Sequence, residues 1–378
     1  MTTGELLEHL GYVTDTVKVS AYLQALRQVI TPKSVVLDLG CGTGLLGLLA
    51  CQAGAQRVYA VDNGPILGAA RSTAIRNGFE NRIVHVRGTS TELRLPEPVD
   101  VVVSDQIGGI AQDAGVLRYH ADARARLCAP GAVFLPGSFQ LRAAPVSSTR
   151  LGRHVFGWRR SPPGLDFGEF ADLATHTVYC DEGAASWLLG DAAPFAQVDS
   201  DRDGPITGSV TVEVQRAATM HAVRGTFVAH LTDTVSLTNE PGSAHSFRRW
   251  QNYYPLDKPV NVQAGDLVEF RIDVRPKVDV TTWWITVMRG PRCVHHCRRS
   301  TALGALLDTV ELRALDRGRT PLLAPGLVTL LQAVDGSTSV AQLEQLALHN
   351  ALAISPEGAK DLVQRLLLLS PNIATNEQ

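Results

Sequence analysis

Hydrophobic and polar positions follow three different patterns along the chain, and each predicts a different kind of structure. Between residues 35 and 135, short continuous apolar runs alternate with stretches of helical period. Continuous apolar runs are typical of strands buried on both faces of a parallel sheet, with helices covering those faces. The pattern predicts an α/β domain with strands at 83–87, 99–103 and 132–135 and helices at 65–77 and 115–128.

A helical pattern precedes this domain over residues 5–31. Thr14 or Asp15 is placed to cap its main helix, because a short polar side chain can accept hydrogen bonds from the free N–H groups of a first turn. Thr31-Pro32 ends the pattern, since proline disfavours continuation of a helix. We therefore expect a helix that packs in front of the first strand.

From Ser138 to about Thr286 the pattern changes to short strands in which apolar and polar residues alternate. Turn residues such as Pro241-Gly242 separate several of them, which predicts an antiparallel, barrel-like domain. Residues 160–205, rich in Pro, Gly, Asp and Ala, interrupt this domain, and a disordered loop is one interpretation of this composition. The expected strands are Gln140–Val146, Ser209–Gln215, Val223–Leu231, Val235–Thr238, Leu267–Val274 and Thr282–Val287.

The remaining residues form a third, mostly helical unit. A weak strand is expected at Thr309–Ala314, and Ser355 followed by Pro356 is a favourable helix start. The expected helices are Pro325–Val334, Ser339–Leu348 and Pro356–Leu369. The chain is therefore divided into residues 1–136, 137–300 and 301–378.

Charge and cysteine content argue against several classes of protein. The 378 residues carry 35 Lys+Arg against 37 Asp+Glu without a basic run, so nucleic-acid binding is not expected. No apolar run approaches about 20 residues and no secretion signal is recognisable, which predicts a cytoplasmic protein without membrane insertion. The six cysteines are scattered and do not resemble a disulfide framework.

The stretch Val35–Asp62 has the pattern of a strand, a glycine-rich turn, a helix and a second strand. Such a parallel crossover places a concave, backbone-lined pocket at the carboxyl end of its first strand. Glycine in the turn lets a ligand approach the backbone, and the acidic Asp62 is positioned to accept both hydroxyls of a ribose. The unit predicts a nucleoside-binding site, with Gly40, Gly42 and Gly44 in its turn.

Two cofactors fit this unit. Residues 42–47 match the G-x-G-x-x-G pattern of dinucleotide folds, which is weak evidence alone. The spacing D-x-G-x-G-x-G from Asp38 to Gly44 resembles Rossmann-like class I S-adenosylmethionine (SAM) methyltransferases more closely. That resemblance implies that Asp38 lies near the amino-acid part of SAM, that Asp62 holds the ribose, and that the product is S-adenosylhomocysteine. A nicotinamide-dependent dehydrogenase and a turn without a ligand are the alternatives.

A more specific resemblance lies before the first strand. The segment Tyr12-Val13-Thr14-Asp15-Thr16-Val17-Lys18 is similar to the N-terminal helix of protein arginine methyltransferases, which closes over the cofactor. Lys18 stands where that family has an arginine that pairs with the SAM carboxylate, and lysine keeps the charge without the bidentate fork. The resemblance places Tyr12 beside the acceptor and the turn with Thr89 and Ser90 at the adenine; a surface lysine and an ordinary loop are the alternatives.

The loop Ser104-Asp105-Gln106-Ile107-Gly108 follows the fourth strand, where ligands of parallel sheets bind. It resembles an arginine methyltransferase loop in which two glutamates, nine residues apart, hold a guanidinium. Here Asp105 replaces the first glutamate, while the second position is Ala114, with Asp113 one residue earlier. We expect Asp105 to orient or deprotonate an acceptor. Asp113 is a second catalytic candidate, with a helix-capping role as the alternative.

Residues Arg249-Trp250-Gln251 resemble the Thr-His-Trp loop of the same family, in which the histidine helps to shape the acceptor pocket. Arg249 at that position favours an anionic or carboxylate-bearing acceptor over a cationic one. The resemblance assigns Arg249 and Trp250 to acceptor binding. The same resemblance implies that residues 160–205 contain a helical arm through which two chains form a homodimer.

The run Cys293-Val294-His295-His296-Cys297 contains groups that can ligate metals. Its spacing does not match common zinc sites, which use a second, distant ligand pair. On a strand, His295 and His296 would also point to opposite faces. No metal site is expected.

The C-terminal segment resembles small winged-helix modules attached to bacterial biosynthetic enzymes. Such modules bind leader peptides or partner proteins, or only pack on their own enzyme. A basic recognition helix is missing from the sequence, so DNA binding is not expected.

Taken together, these features predict a SAM-dependent N- or O-methyltransferase with three domains. Its expected acceptor is a small metabolite, an amino acid or a peptide of a bacterial biosynthetic pathway, because the acidic loop departs from the protein arginine methyltransferase pattern. Two alternatives remain: an arginine guanidino N-methyltransferase with a rearranged acidic loop, and a non-catalytic SAM-binding partner protein.

Overall fold

The computed structural model describes residues 3–111, 114–160, 162–276, 279–302, 339–350 and 356–369, with single residues at 330, 333 and 352. Two helices come first, α1 (Thr3–Thr14) and α2 (Thr16–Val29). Asp15 separates them as the N-cap of α2, and its side chain accepts a hydrogen bond from the Lys18 N–H, as the sequence predicts.

A five-stranded parallel sheet follows these helices, with the strand order β3-β2-β1-β4-β5. Its strands are β1 (Val35–Leu39), β2 (Arg57–Asp62), β3 (Ile83–Arg87), β4 (Val99–Ser104) and β5 (Cys128–Leu135). The connecting helices are α3 (Leu45–Gln52), α4 (Leu67–Arg76) and α5 (Val116–Arg126). The predicted Rossmann-like domain is confirmed.

The strand order reverses between β1 and β4. In an open parallel sheet this reversal opens a crevice at the carboxyl ends of the two central strands. The segments that leave those ends are the glycine-rich turn after Leu39 and the loop after Ser104. The topology therefore brings together two segments that the sequence predicted separately as functional.

The second part of the molecule consists of two antiparallel sheets that pack against each other. One sheet has the order β7-β12-β10-β6-β8, with β11 beside β10, and the other has the order β15-β14-β13-β9. Aromatic side chains of the two sheets pack edge to face, and the ring centroids of Tyr254 and Trp283 lie 5.6 Å apart. The strands are β6 (Ser138–Val146), β7 (Tyr179–Asp181), β8 (Ala193–Asp199), β9 (Ile206–Glu213), β10 (Ala218–His230), β11 (Ser236–Thr238), β12 (Gln251–Val262), β13 (Leu267–Arg275), β14 (Val280–Arg289) and β15 (Arg292–Ser300).

The interruption predicted at residues 160–205 is shorter in the structure. Helix α6 (Thr149–Phe156) begins before it and α7 (Gly168–Thr175) lies inside it, with Trp158 stacked on Phe170 between them. The later part of the range belongs to the sheet, because β7 pairs with β12 and β8 pairs with β6. The prediction of a disordered loop is therefore wrong for these two strands.

The C-terminal part is described only in pieces. Helix α9 (Pro356–Leu369) has its predicted bounds, and α8 (Val340–His349) is shifted by one residue from its prediction, because Ser339 caps it through a capping box with Gln342. The strand predicted at residues 309–314 and the cap predicted at Ser355 lie outside the described residues. The winged-helix assignment thus stays a prediction, as do the domain boundaries.

All six cysteines are free thiols, as the sequence predicts. Among the helices that the structure describes, none is both long and apolar enough to span a membrane.

Candidate active site

The glycine-rich turn after β1 has a backbone that other residues rarely adopt. Gly40, Gly42 and Gly44 have φ angles of 67°, 50° and 80°, all in the left-handed region. A Cβ on Gly40 would collide with the side-chain amide of Gln106, and one on Gly42 would lie 3.1 Å from His9 Cε1. The turn is therefore a narrow backbone cradle between α1 and the loop after β4.

Asp38, on β1, is fully buried directly below this turn. Its Oδ2 accepts a hydrogen bond of 2.8 Å from the Gly47 N–H, whereas its buried Oδ1 has no hydrogen-bond partner among the described residues. Burial raises the pKa of Asp38 to about 7; the Gly47 N–H opposes this rise, and Asp62 and Asp105 add to it. An unpaired buried carboxylate oxygen costs free energy, so a ligand that donates to it would be favoured.

Asp62, at the end of β2, is oriented by the backbone of two neighbouring turns. Its Oδ2 accepts from the Gly42 N–H at 2.8 Å and its Oδ1 from the Gly64 N–H at 2.7 Å. Because each carboxylate oxygen has a second lone pair, Asp62 can still accept hydroxyl donors. The side chain is fixed beside the glycine cradle, as its predicted ribose role requires.

The residues predicted at the adenine follow β3. The Gly88 N–H donates to the Asp62 main-chain oxygen at 3.2 Å, which holds this turn beside β2. Thr89 then caps a short 3-10 helix that begins at Ser90, and the Ser90 carbonyl accepts from Arg126. The turn thus lies next to the ribose-binding candidate in the fold, and its own hydrogen bonds make it rigid.

Opposite the cradle, Asp105 lies between two cations. Lys18 Nζ is 2.6 Å from Asp105 Oδ2, and Arg249 Nη2 is 2.5 Å from Oδ1. The side chains of Lys18, Arg249 and Asp105 are 2%, 10% and 16% exposed, so water screens these pairs only weakly. The structure brings together three predicted site residues from α2, the loop after β4 and the segment before β12.

Hydrogen bonds between elements hold this arrangement. The hydroxyl of the buried Tyr22 donates to the Ser104 carbonyl at 2.8 Å, which fixes α2 against the end of β4. Asp15, besides capping α2, accepts from the Arg248 N–H at 2.8 Å. A single N-cap thereby connects the N-terminal helices to the segment that carries Arg249.

Tyr12 completes the cation site from α1. Lys18 Nζ lies 4.3 Å from its ring centroid and Arg249 Cζ lies 5.2 Å from it, both within the range of cation–π attraction. Its hydroxyl donates to Glu8 Oε1 at 2.5 Å, and burial followed by this hydrogen bond raises the pKa of Tyr12 to about 12. Tyr12 therefore remains a neutral donor and ring surface at physiological pH.

A cleft of about 630 Å³ opens beside these residues. Its lining combines acidic Glu8 and Glu182 with basic Arg248 and Arg249, and the Trp250 side chain, which is 55% exposed, forms part of its rim. The main-chain oxygen of Trp250 accepts from Asn239 Nδ2 at 2.7 Å, so its backbone is fixed while its indole remains accessible. Asp113, the second predicted catalytic acid, lies outside the described residues.

Comparison with known proteins decides the family. Protein arginine N-methyltransferase 6 of Xenopus laevis is 32% identical over 290 residues, which make up 71% of this chain and 85% of that protein. The chain belongs to the protein arginine N-methyltransferase family. The enzyme is therefore a SAM-dependent methyltransferase, as its sequence predicts.

Three further comparisons agree with this assignment. The family model for ribosomal protein L11 methyltransferase (PrmA) matches residues 15–137. An arginine N(omega)-methyltransferase of Streptomyces achromogenes subsp. streptozoticus is 29% identical over 281 residues, 70% of this chain and 75% of that protein. The Trypanosoma brucei PRMT1 enzyme–prozyme heterotetrameric complex with AdoHcy has a chain that is 25% identical with a TM-score of 0.70, covering 77% of this chain and 96% of that one.

The crevice of this methyltransferase fits SAM on two structural observations. A Cβ at Gly40 would collide with the Gln106 side chain, so the narrow turn tolerates only glycine there. Beside this turn, the unpaired Oδ1 of Asp38 can accept from an ammonium group, and Asp62 can accept from ribose hydroxyls.

Several residues of this site had no signal of their own in the sequence. Gln106, His9 and Glu8 reach the crevice from a loop and from α1, and Glu182 reaches the cleft from beyond β7. Polar residues at these positions look like ordinary surface residues in a sequence. Only Gln106 could have been found, because it directly follows Asp105 at a strand end.

Proposed function

We propose that this protein transfers the methyl group of SAM to a guanidino nitrogen of arginine. The observation that carries the proposal is the position of a guanidinium on Asp105: Arg249 already donates to this carboxylate, at the end of β4 and beside the glycine cradle. The pocket around Asp105 therefore accommodates a planar, cationic group with several N–H donors.

The names of the relatives support the same acceptor, since they are arginine N-methyltransferases. The sequence-based preference for a different metabolite as acceptor depended on the missing second glutamate and on Arg249. Guanidino methylation was the alternative in the sequence analysis. It accounts for the family and for the contacts of Asp105 better than methylation of an unrelated metabolite does. Free arginine satisfies both hypotheses, because it is a small amino acid and carries a guanidinium.

The charge of the cleft favours an acceptor with groups of both signs. Glu8 and Glu182 can attract a guanidinium or an ammonium, while Arg248 and Arg249 can attract a carboxylate. An arginine whose own carboxylate is free would complement all four side chains. We therefore propose free arginine, or a short peptide that ends in arginine, as the acceptor.

When bound, SAM supplies an electrophilic methyl group that an acceptor nitrogen takes in a single displacement, with loss of one proton from that nitrogen. Asp105 holds the acceptor guanidinium, which competes with Arg249 for Oδ1 while Lys18 keeps Oδ2. Arg249, once released, pairs with the acceptor carboxylate. Because two cations surround Asp105, its main contribution is to position the nitrogen, and positioning accounts for most of the acceleration in such transfers.

The proposal also includes a homodimer and a cytoplasmic location. It further includes the binding of a leader peptide or partner protein by residues 301–378. The comparison with a heterotetrameric complex supports assembly in general. Helices α6 and α7, with exposed Trp158 and Phe170, are the segment proposed for self-association.

The test compares three amino compounds as acceptors with SAM. L-Arginine should gain one methyl group by mass spectrometry with stoichiometric S-adenosylhomocysteine. Agmatine, which lacks the carboxylate, should be methylated at a kcat/KM lower by roughly tenfold, a loss of about 1.4 kcal/mol. Citrulline, with a neutral ureido group, should remain unmodified.

Methylation of an unrelated metabolite but not of arginine or arginyl peptides would contradict the proposal. SAM binding without S-adenosylhomocysteine from any acceptor would instead indicate the non-catalytic partner protein. Calorimetric titration with SAM and with NAD on the same sample verifies the cofactor separately.

A further inference from the structure

A second cluster of ligand-type side chains lies in the antiparallel part of the molecule. Asp257 on β12 and His295 and Cys297 on β15 bring a carboxylate oxygen, an imidazole nitrogen and a thiol sulfur within 4.8 Å of one another. Within the described ranges, this is the one group of three such residues that could hold a metal ion. His295 and Cys297 are buried, and Asp257 is partly exposed.

The strand geometry explains why two of the three side chains converge. His295 and Cys297 are two residues apart on β15, so both point to its inner face, whereas the intervening His296 is exposed on the other face. The alternation predicted for His295 and His296 is therefore confirmed. The sequence lacked a third ligand for this pair, and the fold supplies it from a distant strand.

Asp257 can reach this face because β12 is not paired with β10 at this point. The register between β10 and β12 shifts between Met220 and Ala222, so Pro255 and Val260 pair with β10 while residues 256–259 do not. A bulge of this kind redirects side chains and frees the backbone from the ladder. At this place Asp257 turns toward β15 of the other sheet.

Two buried polar atoms in the cluster have no partner except each other. Asp257 Oδ1 and His295 Nε2 lie 2.9 Å apart, and neither has another hydrogen-bond partner among the described residues. A cation shared by both atoms would satisfy them together. The neutral imidazole of histidine has a free lone pair on one ring nitrogen, so His295 Nε2 is a suitable ligand atom.

A neighbouring cation acts on the other carboxylate oxygen. Arg299 Nη2 lies 3.5 Å from Asp257 Oδ2, so Oδ1 remains available. Hydrogen-bonded or charged groups behind a ligating carboxylate commonly orient it. Lys258 is the next residue in the chain after Asp257, and the positive charges of Arg299 and Lys258 would weaken the binding of a cation without blocking the ligand atoms.

We propose that Asp257, His295 and Cys297 bind one zinc ion, with the fourth tetrahedral position open to water. One nitrogen, one sulfur and one oxygen ligand form a borderline-soft set that suits Zn²⁺ better than Mg²⁺ or Ca²⁺. The ion would join β12 to β15 at the point where β12 lacks its β10 partner, so its role is to stabilise the contact between the two sheets. Zinc binds the thiolate form of cysteine, so binding must release the Cys297 thiol proton, and affinity should rise with pH.

The experiment uses the full chain after treatment with a chelator. Equilibrium dialysis against zinc chloride should give about one zinc per chain, with a raised Tm and the release of about one proton. Cobalt(II) in place of zinc should give a thiolate charge-transfer band, because cobalt occupies the same tetrahedral sites.

Substitution of each ligand distinguishes a built site from surface binding. Asp257→Asn, His295→Gln and Cys297→Ser should each weaken zinc binding by roughly tenfold or more, and Cys297→Ser should abolish the charge-transfer band. His296→Gln and Cys293→Ser, on the same strand, serve as matched controls and should bind zinc like the wild type. If Cys297→Ser does not fold, the nearly isosteric Asp257→Asn still provides the test.

The proposal is overturned if the wild-type chain binds no zinc at equimolar concentration. It is equally overturned if binding persists in all three ligand variants or is lost in the two controls. Methyl transfer need not change in any variant, so this test is independent of the proposed acceptor.

Discussion

Arg249 donates from one guanidinium nitrogen to both the side chain and the backbone of Asp105, at 2.5 Å from Oδ1 and 3.2 Å from the main-chain oxygen. Its Nε is buried without a hydrogen-bond partner in the described part of the chain. The guanidinium thus occupies the acidic group that an acceptor must use, and its buried Nε donor is unused. This relationship makes Arg249 the first residue to test.

Arg249→Ala should free Asp105 and remove the group proposed to bind the acceptor carboxylate. We expect KM for arginine to rise by roughly tenfold, about 1.4 kcal/mol, while KM for agmatine remains the same or falls. Steady-state kinetics with both acceptors checks this, and Arg202→Ala, at an exposed position, is the control. An equal loss with both acceptors would mean that Arg249 has only a structural role.

Substitution of Lys18 tests whether its charge contributes to SAM binding. Lys18→Met leaves Asp105 with one cation and removes the charge placed by resemblance near the SAM carboxylate. SAM affinity should fall by about tenfold or more, and Lys18→Arg should restore it, because arginine supplies a bidentate fork. Calorimetric titration measures both. If SAM affinity is unchanged while the acceptor KM rises, Lys18 serves only to hold Asp105.

Asp38 makes a pH-dependent contribution to stability without the cofactor. Its pKa is raised from 3.8 to about 7 by burial, so its contribution is fully present below about 3.8 and is lost as pH rises through about 7. Asn cannot ionise, so the stability of Asp38→Asn relative to wild type should increase between about pH 5 and about pH 8, by up to roughly 3 kcal/mol.

Denaturant titrations of both proteins at the two pH values check this expectation. The same substitution should weaken SAM binding, since the carboxylate oxygen without a partner is the proposed acceptor of the SAM ammonium group. Parallel stability curves at both pH values would show that Asp38 does not titrate in this range.

Alanine substitution at Gly40, with Gly78 as the matched control, tests the role of the glycine cradle. Gly40 and Gly78 have φ angles of 67° and 73°, but an added Cβ meets Gln106 at Gly40 and open space at Gly78. Both alanine variants should lose about 1–2 kcal/mol of stability from the left-handed backbone. Only Gly40→Ala should also lose SAM binding, by roughly tenfold or more, in the same titration. Normal SAM binding by Gly40→Ala would contradict the role of the cradle.

The sequence by itself determined the elements whose signals are local. The apolar runs, the glycine turn and the N-cap Asp15 act over a few residues, so their positions agree with β1 to β4, α2 and the cradle, whereas β5 begins at Cys128 instead of the predicted residue 132. Strand β12 gave no alternating signal of its own, because it is buried along most of its length. Strand β15 was missed because its polar residues, His295 among them, lie on the buried face.

The tertiary structure decided which side chains meet. Lys18, Asp105 and Arg249 belong to three separate segments, and only the crossover of the parallel sheet and its contact with the second sheet pair them. Asp257 likewise reaches His295 and Cys297 only through the bulge between β10 and β12. Local patterns specify secondary structure because the backbone responds to its immediate neighbours, whereas burial and charge pairing depend on contacts between residues far apart in the chain.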